Sequence, residues 1–394
     1  MNARERIRHS RDAWSARVLG LSHSLHAEPE LSFQEHRSAA KVRSLLSEAG
    51  FTVDTPAGLD TAVVATAGSG ELVVALCAEY DALPGLGHAC GHNVNGAASV
   101  GAALALAPVA DELGLTVRLV GTPGEETTGG KIDLLDAGVF DDVAAAMMVH
   151  AGGADEVGLS SYAVRQWTVR FTGTPAHAAT APWDGRNALD ALALAYQAVG
   201  LLRQQLDRAC IVSFIVENGG TATNVIPDHA AARIELRAAT VPALDGLSAA
   251  VRRCVDAGAL ATGCSVDVRS HGPVFAELRQ DATLTDLYVR AITAVGRRPV
   301  DGRGAPVAST DMGNVSQHVP SLHPVIGYDV AGAAHHTAAF AAHGCSPSAD
   351  EAVLDAALAL AEVAHDLAVD PELRGRLLDG VAARGRVGAG ASAR

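Results

Sequence analysis

Candidate metal ligands cluster in the segment GLGHACGHNVNG, residues 85–96. His88, Cys90 and His92 alternate there with other residues, between a predicted strand and a predicted helix. Thiolate sulfur and imidazole nitrogen are good ligands for Zn²⁺ and comparable first-row dications. Two other interpretations are open for this segment, because the glycines could form a phosphate-binding loop and the histidines could be hydrogen-bonded core residues.

The spacing of the glycines disfavours a phosphate-binding loop. Gly85, Gly87 and Gly91 follow the pattern GxGxxxG rather than GxGxxG, and the residues YDALP separate them from the preceding strand. A dinucleotide-binding fingerprint needs its tight turn directly after the strand, so that the N-terminus of the next helix meets the pyrophosphate. Asp111 lies near the distance expected for a ribose-binding acid, but the turn itself has the wrong form. A nucleotide-binding function is therefore disfavoured.

Further candidate ligands follow two other predicted strands. Glu125 and Glu126 come directly after the strand predicted at 115–123, and His150 ends the strand predicted at 142–150. Open α/β sheets bind their ligands at the carboxyl ends of the strands. We therefore expect these side chains to lie near the cysteine and histidines of the first segment, which weakens the core-histidine interpretation.

The two adjacent glutamates could have different roles. Consecutive side chains point in different directions, so one of Glu125 and Glu126 can bind a metal while the other faces a substrate. A metal-activated water becomes a nucleophile near neutral pH, and a neighbouring carboxylate can take its proton and deliver it to a leaving amine. The segment AAHHTAAF adds two more imidazoles, His335 and His336.

The elements around these residues predict an α/β fold. Strands are predicted at 71–80, 115–123 and 142–150, and helices at 93–109 and 130–138. Apolar strands that alternate with helices are typical of a largely parallel sheet flanked by helices. Near the N-terminus, Ser32 and Glu35 match a capping box before an amphipathic helix.

A smaller domain is predicted to interrupt this fold. From QWTVRFTGT onward the pattern changes to half-exposed antiparallel strands in β-α-β-β-α-β order, which resembles a ferredoxin-like domain. We predict a catalytic domain over 1–163 plus 275–370 and an inserted domain over 164–274 that serves dimerisation or acts as a lid. The tail 371–394 has turn-formers and charge without an apolar period, so we expect it to be disordered.

Composition excludes several classes of function. The chain has 394 residues, more than one core usually fills, and a formal net charge of −14. Such an acidic chain is a poor binder of nucleic acid or anionic membranes. The N-terminus lacks the apolar run of a signal peptide, and no apolar stretch reaches about 18 residues. Six scattered cysteines do not suggest a disulfide scaffold. We expect a cytoplasmic protein without nucleic-acid or membrane partners.

Seven segments in order carry a resemblance to a known family. They are EYDALPGLGHACGHN, GTPGEETTGGKIDLLDAGVFDD, AMMVH, GTPAHAATAPWDGRNALDA, NVIPD, ASTDMGNVS and HHTAAF. Together they resemble the aminoacylase/carboxypeptidase-G family of co-catalytic metallopeptidases (clan MH). The most similar branch contains aminobenzoyl-glutamate hydrolases, auxin-conjugate hydrolases and the Xaa-Arg dipeptidase. The resemblance extends from about residue 20 to residue 368.

The resemblance implies a centre with two divalent metal ions. Its implied ligands are Cys90, His92, Glu126, His150 and His336. The Cys90 thiolate would bridge the metals, and zinc or manganese is expected, with cobalt or nickel as alternatives. Glu125 is implied as the general base, and Asp81 as a carboxylate that orients a ligand histidine. His88 and His335 are expected to form hydrogen bonds rather than to bind metal.

The resemblance also implies roles for two residues of the inserted domain. His177, in GTPAHAA, matches a histidine that stabilises the tetrahedral oxyanion and that the partner subunit supplies in dimeric members of the family. Asn224, in NVIP, matches a polar contact to the substrate. One departure is Asn93, since many relatives have Asp after the ligand histidine, although some members of the most similar branch carry Asn. The substrate carboxylate has four candidate partners, Arg186, Arg203, Arg233 and Arg237.

These observations predict a homodimeric, metal-dependent amidohydrolase or peptidase of the aminoacylase or dipeptidase type. It would cleave the amide bond of a small N-acyl amino acid or dipeptide by a metal-activated water, with a glutamate as general base. The alternative is a non-catalytic metal- or ligand-binding protein on the same fold. An intact Glu125 disfavours this alternative, because a protein that only binds a ligand does not need that base.

Overall fold

The computed structural model describes residues 1–304 and 306–391, with side chains up to residue 385. The helices are α1 (Ala3–Ala27), α2 (His36–Glu48), α3 (His92–Leu106), α4 (Gly130–Asp136), α5 (Ala188–Leu202), α6 (Val241–Thr262), α7 (Ala282–Ala294), α8 (Met312–Ser316), α9 (Ala338–Ala341), α10 (Pro347–Val369) and α11 (Pro371–Ala391). The strands are β1 (Thr52–Asp54), β2 (Val63–Ala67), β3 (Leu72–Glu79), β4 (Leu115–Thr122), β5 (Ala145–Met147), β6 (His150–Gly152), β7 (Glu156–Val157), β8 (Ala163–Thr172), β9 (Ile211–Asn218), β10 (His229–Ala238), β11 (Ser265–Ser270), β12 (Val300–Asp301), β13 (Ser321–Leu322) and β14 (Val325–Gly327).

The chain forms two compact units. The first consists of Met1–Ser160, Arg279–Gly304 and Asn314–Arg394, and the second of Ser161–Leu278 and Ala305–Gly313. The expected insertion at 164–274 is therefore wider by a few residues at each end, and a later segment of the chain joins it. Among the described helices, none is long and apolar enough to cross a lipid bilayer.

A six-stranded sheet forms the centre of the first unit, in the order β1-β2-β4-β3-β5-β13. The strands from β4 to β13 run parallel, and β1 and β2 add an antiparallel edge. Every residue of β3 is buried, as the apolar run predicts for a strand covered on both faces. The predicted parallel sheet flanked by helices is confirmed.

Helix α3 is buried along its whole length and packs against α1 and α10. Its sequence, HNVNGAASVGAALAL, consists largely of alanine, glycine and other small residues. Small side chains allow neighbouring helices to approach closely without leaving voids. This close packing fixes the start of α3, where His92 lies.

The strand predicted at 142–150 is two short strands. Strand β5 ends at Met147 and belongs to the central sheet, whereas β6 begins at His150 and pairs with β14 in a second sheet of order β12-β7-β14-β6. Residues 143–149 form one continuous apolar run, because the chain is buried on both sides of the change of sheet. The sequence therefore does not show where β5 ends. His150 is therefore the first residue of a strand, not the last.

The tail expected to be disordered from residue 371 is helical as far as Ala391, and residues 392–394 lie outside the described residues. Helix α11 starts with Pro371, and its first free N–H groups donate to the carboxylate of Asp370. Arg374 donates to the carbonyl oxygens of Leu113 and Gly114, and Leu377 is 2% exposed. A few anchored side chains thus order a segment that has little apolar periodicity.

The second unit has the predicted β-α-β-β-α-β order. Its sheet is β11-β8-β10-β9, antiparallel throughout, with β9 at one edge. Helices α5 and α6 pack on the sheet, and buried Trp167, Phe171 and Leu192 contribute to a core of its own. This arrangement confirms the ferredoxin-like α+β fold of the insertion.

Candidate active site

A glycine turn separates the two candidate ligands of the opening segment. Helix α3 begins at His92, and Gly91 before it has a φ of 77°, in the left-handed region. A Cβ atom at Gly91 would lie 2.4 Å from the Cβ of Ala151. Only glycine fits there without a shift, so the glycines of this segment serve a tight turn that presents Cys90 and His92.

The structure brings six predicted site residues together in the first unit. Their ligand atoms form three overlapping groups, each with all atoms within 4.8 Å of one another: Cys90, His92 and His150; Cys90, Glu126 and His336; and His92, Glu125 and Glu126. Cys90 belongs to the first two groups, which do not otherwise overlap. Its sulfur thus has the position that a ligand shared by two metal ions needs.

The distances between individual candidate ligand atoms leave room for ions. The Cys90 Sγ lies 3.6 Å from His150 Nε2, and His336 Nε2 lies 3.5 Å from a Glu126 carboxylate oxygen. A Glu125 carboxylate oxygen is 4.0 Å from His92 Nε2. Ligand atoms around one metal ion, each about 2.0–2.3 Å from it, are separated by distances of this order.

Two buried polar atoms support this interpretation. His92 Nε2 and Glu126 Oε1 are buried, and neither has a hydrogen-bond partner among the described residues. An unsatisfied buried polar atom is costly, so its retention calls for an explanation such as an ion. Imidazole, thiolate and carboxylate donors around both atoms suit zinc or a similar dication. The residues present therefore fit a two-metal centre.

Asp81 holds His92 in one orientation. Its Oδ1 lies 2.8 Å from His92 Nδ1, and its Oδ2 accepts hydrogen bonds from the Ser32 hydroxyl and from the backbone N–H of Glu126. Burial raises the pKa of Asp81, but the His92 imidazole outweighs this and lowers it. The ionised carboxylate therefore keeps the His92 proton on Nδ1 and leaves Nε2 facing the other candidate ligands.

The protonation of two other candidates follows from burial. Burial lowers the pKa of His150 to about 3, so its imidazole is neutral, which is the form that binds metals. Burial also raises the pKa of the Cys90 thiol to about 12, and the charges of Glu126 and Glu125 act in the same direction. A bound dication is the agent that deprotonates such a thiol outright.

The backbone of His336 is strained. Its φ is 62°, a left-handed conformation that non-glycine residues adopt rarely, and its N–H donates to the carbonyl oxygen of Ala89. Strain of this kind persists where the surrounding structure enforces it, often at functional sites. The hydrogen bond joins the His336 loop to the residue before Cys90 and brings the two side chains together.

The residues predicted as a capping box support the site instead. Helix α2 begins at His36, and neither Ser32 nor Glu35 caps it. Ser32 donates to Asp81, and Glu35 accepts from the N–H of Gly124, the residue before the two glutamates. The capping-box prediction was wrong because the S-x-x-E spacing places Ser32 outside the first turn of a helix that starts at His36.

His88 and His335 form the expected hydrogen bonds. His88 Nε2 donates to the carbonyl oxygen of Leu25 and His335 Nε2 to that of Ala151. Asn93 also has a buried structural role, because its amide donates to the Ser22 hydroxyl and to the carbonyl oxygen of Gly344. An ionised aspartate could not donate either bond.

In the described part of the first unit, Glu79, Lys131 and His323 lie near the centre and escaped the sequence analysis. Glu79 lies 3.5 Å from His92 Nε2 and forms a buried ion pair with Lys131. The ring of His323 stacks on that of His150, with 5.7 Å between centroids. Two signals were available for the ion pair: Glu79 is the one charged residue of a fully buried strand, and Lys131 is one of two lysines in the chain.

The second unit holds His177 and Asn224, both exposed. Their segments pair, because His177 bridges to Val225 and the N–H of Ala178 donates to the carbonyl oxygen of Asn224. His177 Nδ1 accepts from the N–H groups of Ala179 and Thr180. In the neutral ring the proton is therefore on Nε2, which makes this atom a hydrogen-bond donor.

Three of the four arginines considered for a substrate carboxylate have other partners. Arg203 donates to the carbonyl oxygen of Val212, and Arg233 and Arg237 pair with Glu217 and Glu235. Arg186 is exposed, and its side chain forms no hydrogen bond or ion pair to the described part of the chain.

The parallel sheet and its cluster of thiol, imidazole and carboxylate groups define a metal-dependent hydrolase. Residues 75–365 match the model of Peptidase family M20/M25/M40, and the chain belongs to this family. It is thus a metal-dependent peptidase or amidohydrolase, as the sequence motifs predicted.

The chain is similar to several named hydrolases. It is 37% identical over 391 residues to the Xaa-Arg dipeptidase of Mus musculus, covering 94% of this chain and 89% of the relative. It is 35% identical over 263 residues to a p-aminobenzoyl-glutamate hydrolase chain of Escherichia coli, covering 61% and 55%. The crystal structure of a dinuclear metal-binding M20 peptidase from Bacillus subtilis superposes with a TM-score of 0.71 at 26% identity, covering 90% of this chain and 99% of that one.

Proposed function

We propose that the protein hydrolyses the amide bond of a dipeptide or a small N-acyl amino acid at a centre of two divalent metal ions. The ligands in this proposal are Cys90, His92, Glu126, His150 and His336. The observation that carries it is the pair of ligand groups that share Cys90, with Glu125 beside them. The Xaa-Arg dipeptidase and the p-aminobenzoyl-glutamate hydrolase among the relatives support this substrate class.

The bound metals would supply Lewis acidity toward the amide carbonyl and lower the pKa of a water molecule. Asp81 orients the His92 ring through Nδ1, and the Glu126 side chain is held at the centre by its own backbone hydrogen bond to Asp81. Glu125 is 9% exposed, so its carboxylate stands at the edge of the buried cluster. In this position it accepts the proton of the attacking water and returns it to the leaving nitrogen.

His177, Asn224 and Arg186 act on the substrate in this proposal. His177 donates a hydrogen bond from its Nε2–H to the tetrahedral oxyanion, a role that the hydrogen bonds to Nδ1 support by fixing the tautomer. Asn224, on the neighbouring segment, contacts the substrate. Arg186 binds the substrate carboxylate, because a guanidinium group without a protein partner matches it in charge and in geometry.

We further propose a homodimer in which the second unit is the interface. Strand β9 is an edge strand, and its side chains Ile211, Ile215 and Val216 are 41%, 60% and 52% exposed. An apolar sheet edge of this kind is suited to pairing across a two-fold axis. His177 would then act on the active site of the partner subunit.

We propose zinc as the native metal. Thiolate sulfur is a soft donor and favours zinc over manganese, which prefers oxygen ligands. Cobalt and nickel remain candidates for reconstitution, because imidazole binds both.

The test is an activity screen on metal-free protein reconstituted with each metal. We expect no hydrolysis by the metal-free protein and recovery with a divalent ion, on a panel of dipeptides and N-acyl amino acids that includes dipeptides ending in arginine. Metal content by elemental analysis accompanies each assay. Protein that binds two equivalents of metal but cleaves no substrate of the panel would favour the alternative, a non-catalytic binding protein. Protein that binds no metal would overturn the proposal itself.

A further inference from the structure

An ion pair with no role in the proposed reaction lies next to the metal-ligand candidates. The ammonium group of Lys131 is 2.6 Å from a carboxylate oxygen of Glu79, and both side chains are 0% exposed. Removing two charges from water costs several kcal/mol for each ion, and their attraction seldom exceeds this cost. An apolar pair would therefore serve the fold as well, and the retention of charge here calls for another reason.

The pair is connected to two candidate ligands. Lys131 bonds Oε1 of Glu79, while Oε2 accepts from the Asn95 amide at 3.0 Å and lies 3.5 Å from His92 Nε2. The side-chain oxygen Oδ1 of Asn95 accepts from the backbone N–H of Ala151 at 2.7 Å, directly after His150. One buried network thus contacts His92 through a side chain and the strand of His150 through the backbone.

The two oxygens of the Glu79 carboxylate face different partners. Because Lys131 and His92 contact different oxygens of Glu79, the ammonium group does not separate the carboxylate from the ligand atoms. Lys131 holds the carboxylate in place through Oε1, and Oε2 faces the place where positive ions would bind. Asn95 then transmits the same placement to the start of β6.

We propose that Lys131, acting through Glu79 and Asn95, is a positioning residue that sets the affinity and the ligand geometry of the metal centre. This inference rests on the proposed function in one respect, namely that the centre binds metal. It adds a charged network behind the ligands, which anchors His92 and the strand of His150 together.

The decisive variant removes both charges and keeps the shape. In Glu79→Gln combined with Lys131→Met, the glutamine oxygen can still accept from Asn95, and both charges of the ion pair are removed together. The metal-free form should therefore melt at a temperature close to that of the wild type. Its dissociation constant for Zn²⁺, measured by competition with a chelator, should rise about tenfold or more, as for other partners that support metal ligands. The visible absorption bands of the Co²⁺ form should shift.

The control is Glu362→Gln, which neutralises another buried carboxylate of the first unit, one that pairs with Arg4 and Arg8. It should leave both the Zn²⁺ affinity and the Co²⁺ spectrum unchanged. If the metal-free double variant does not melt cooperatively, Lys131→Gln takes its place, because glutamine keeps a donor for Glu79 and removes only the charge.

The outcomes separate this inference from the proposed function. Wild-type protein that binds no metal overturns both. Wild-type protein that binds metal, with a double variant whose affinity lies within threefold of it and whose Co²⁺ spectrum is the same, overturns only the role of Lys131. A larger loss of affinity with unchanged metal-free melting supports the positioning role, because a merely structural pair would change melting and leave the metal untouched.

Discussion

Glu125 and Glu126 are adjacent in the chain, but their carboxylates have different surroundings. Glu126 has one carboxylate oxygen 3.5 Å from His336 and another buried without a hydrogen-bond partner among the described residues, whereas Glu125 lies at the edge of the cluster. The difference between metal binding and proton transfer can therefore be tested by the same small substitution at two consecutive positions.

We expect Glu125→Gln to keep its metal and to lose rate by about 10²–10⁴-fold, because an amide cannot accept the proton. Glu126→Gln should lose metal, since a neutral amide is a poor ligand. Elemental analysis and kcat are measured on the same preparations, and each variant is the matched control of the other. The reverse pattern would mean that the two roles are exchanged.

The sequence identified the candidate ligands better than the residues that hold these ligands in place. Cysteine, histidine and paired glutamates after strands are rare enough to be recognised from their types, and the structure brings those of the first unit together. Glu79, Lys131 and His323 were missed because a buried charge or imidazole in an apolar stretch has no periodic signature. The residue types of Glu79 and Lys131 single them out, but the two are distant in the chain, and the fold is needed to show that they pair with each other.

The segment before α2 connects distant parts of the site. Ser32 bonds Asp81, the ring of Phe33 lies where a Cβ of Gly124 would be, and Glu35 accepts from the N–H of Gly124. The left-handed conformations of Phe33 and Gly124, with φ of 61° and 70°, make this approach possible. The loop that carries both glutamates is thus fixed by a neighbouring element rather than by its own sequence.

Glu35 gives this segment a pH dependence. Burial, with a contribution from the charge of Asp81, raises the pKa of Glu35 from 4.5 to about 7. Between these values the folded metal-free protein holds a proton that the unfolded chain releases, so the free energy of unfolding falls as the pH rises. Glu35→Gln keeps an acceptor for Gly124 and removes the titration. We expect the metal-free variant to match the wild type below pH 4.5 and to be more stable above pH 7.

Urea denaturation of the metal-free proteins across this range measures the effect. The control is Glu351→Gln at an exposed position of α10, which should follow the pH curve of the wild type. Parallel curves for Glu35→Gln and the wild type would contradict a buried neutral carboxyl group at this position.

The sequence predicted elements correctly where one apolar run forms one strand or helix. The prediction failed where one apolar run covers two strands. Strands β3 and β4 and helix α3 lie close to their predicted ranges, because continuous burial on both faces leaves long apolar runs. The same kind of run concealed the change of sheet between β5 and β6. Helix α11 was missed for the opposite reason, since Arg374 and Asp370 order it by polar contacts that hydrophobic periodicity does not record.

At the scale of the whole molecule, the candidate catalytic residues are divided between two units of one chain. Glu125 belongs to the first unit and His177 to the second. A proposed dimer in which each site uses His177 of the other chain predicts that two inactive variants can complement each other.

Glu125→Ala and His177→Ala should each be inactive alone and regain activity when mixed under conditions that exchange subunits. In a mixed dimer one site has its own Glu125 and receives an intact His177. Random exchange in a closed dimer makes about half of the dimers mixed, so about a quarter of the wild-type activity should return. Each variant incubated with itself is the control. Background activity at every mixing ratio, with exchange verified by mass spectrometry, would place His177 and Glu125 in the same chain's site.

The burial of Lys131 also affects how the protein can be labelled. The chain carries 28 arginines and only two lysines, Lys41 and Lys131, and the second has no exposed surface. Apart from the α-amine of the chain, an amine-reactive dye therefore meets a single side chain, Lys41 at the surface of α2, which is 24% exposed. Lys41 is therefore the one side chain of the folded protein that such a dye labels. The rate at which Lys131 is modified then measures how often the buried network beside the candidate metal centre opens.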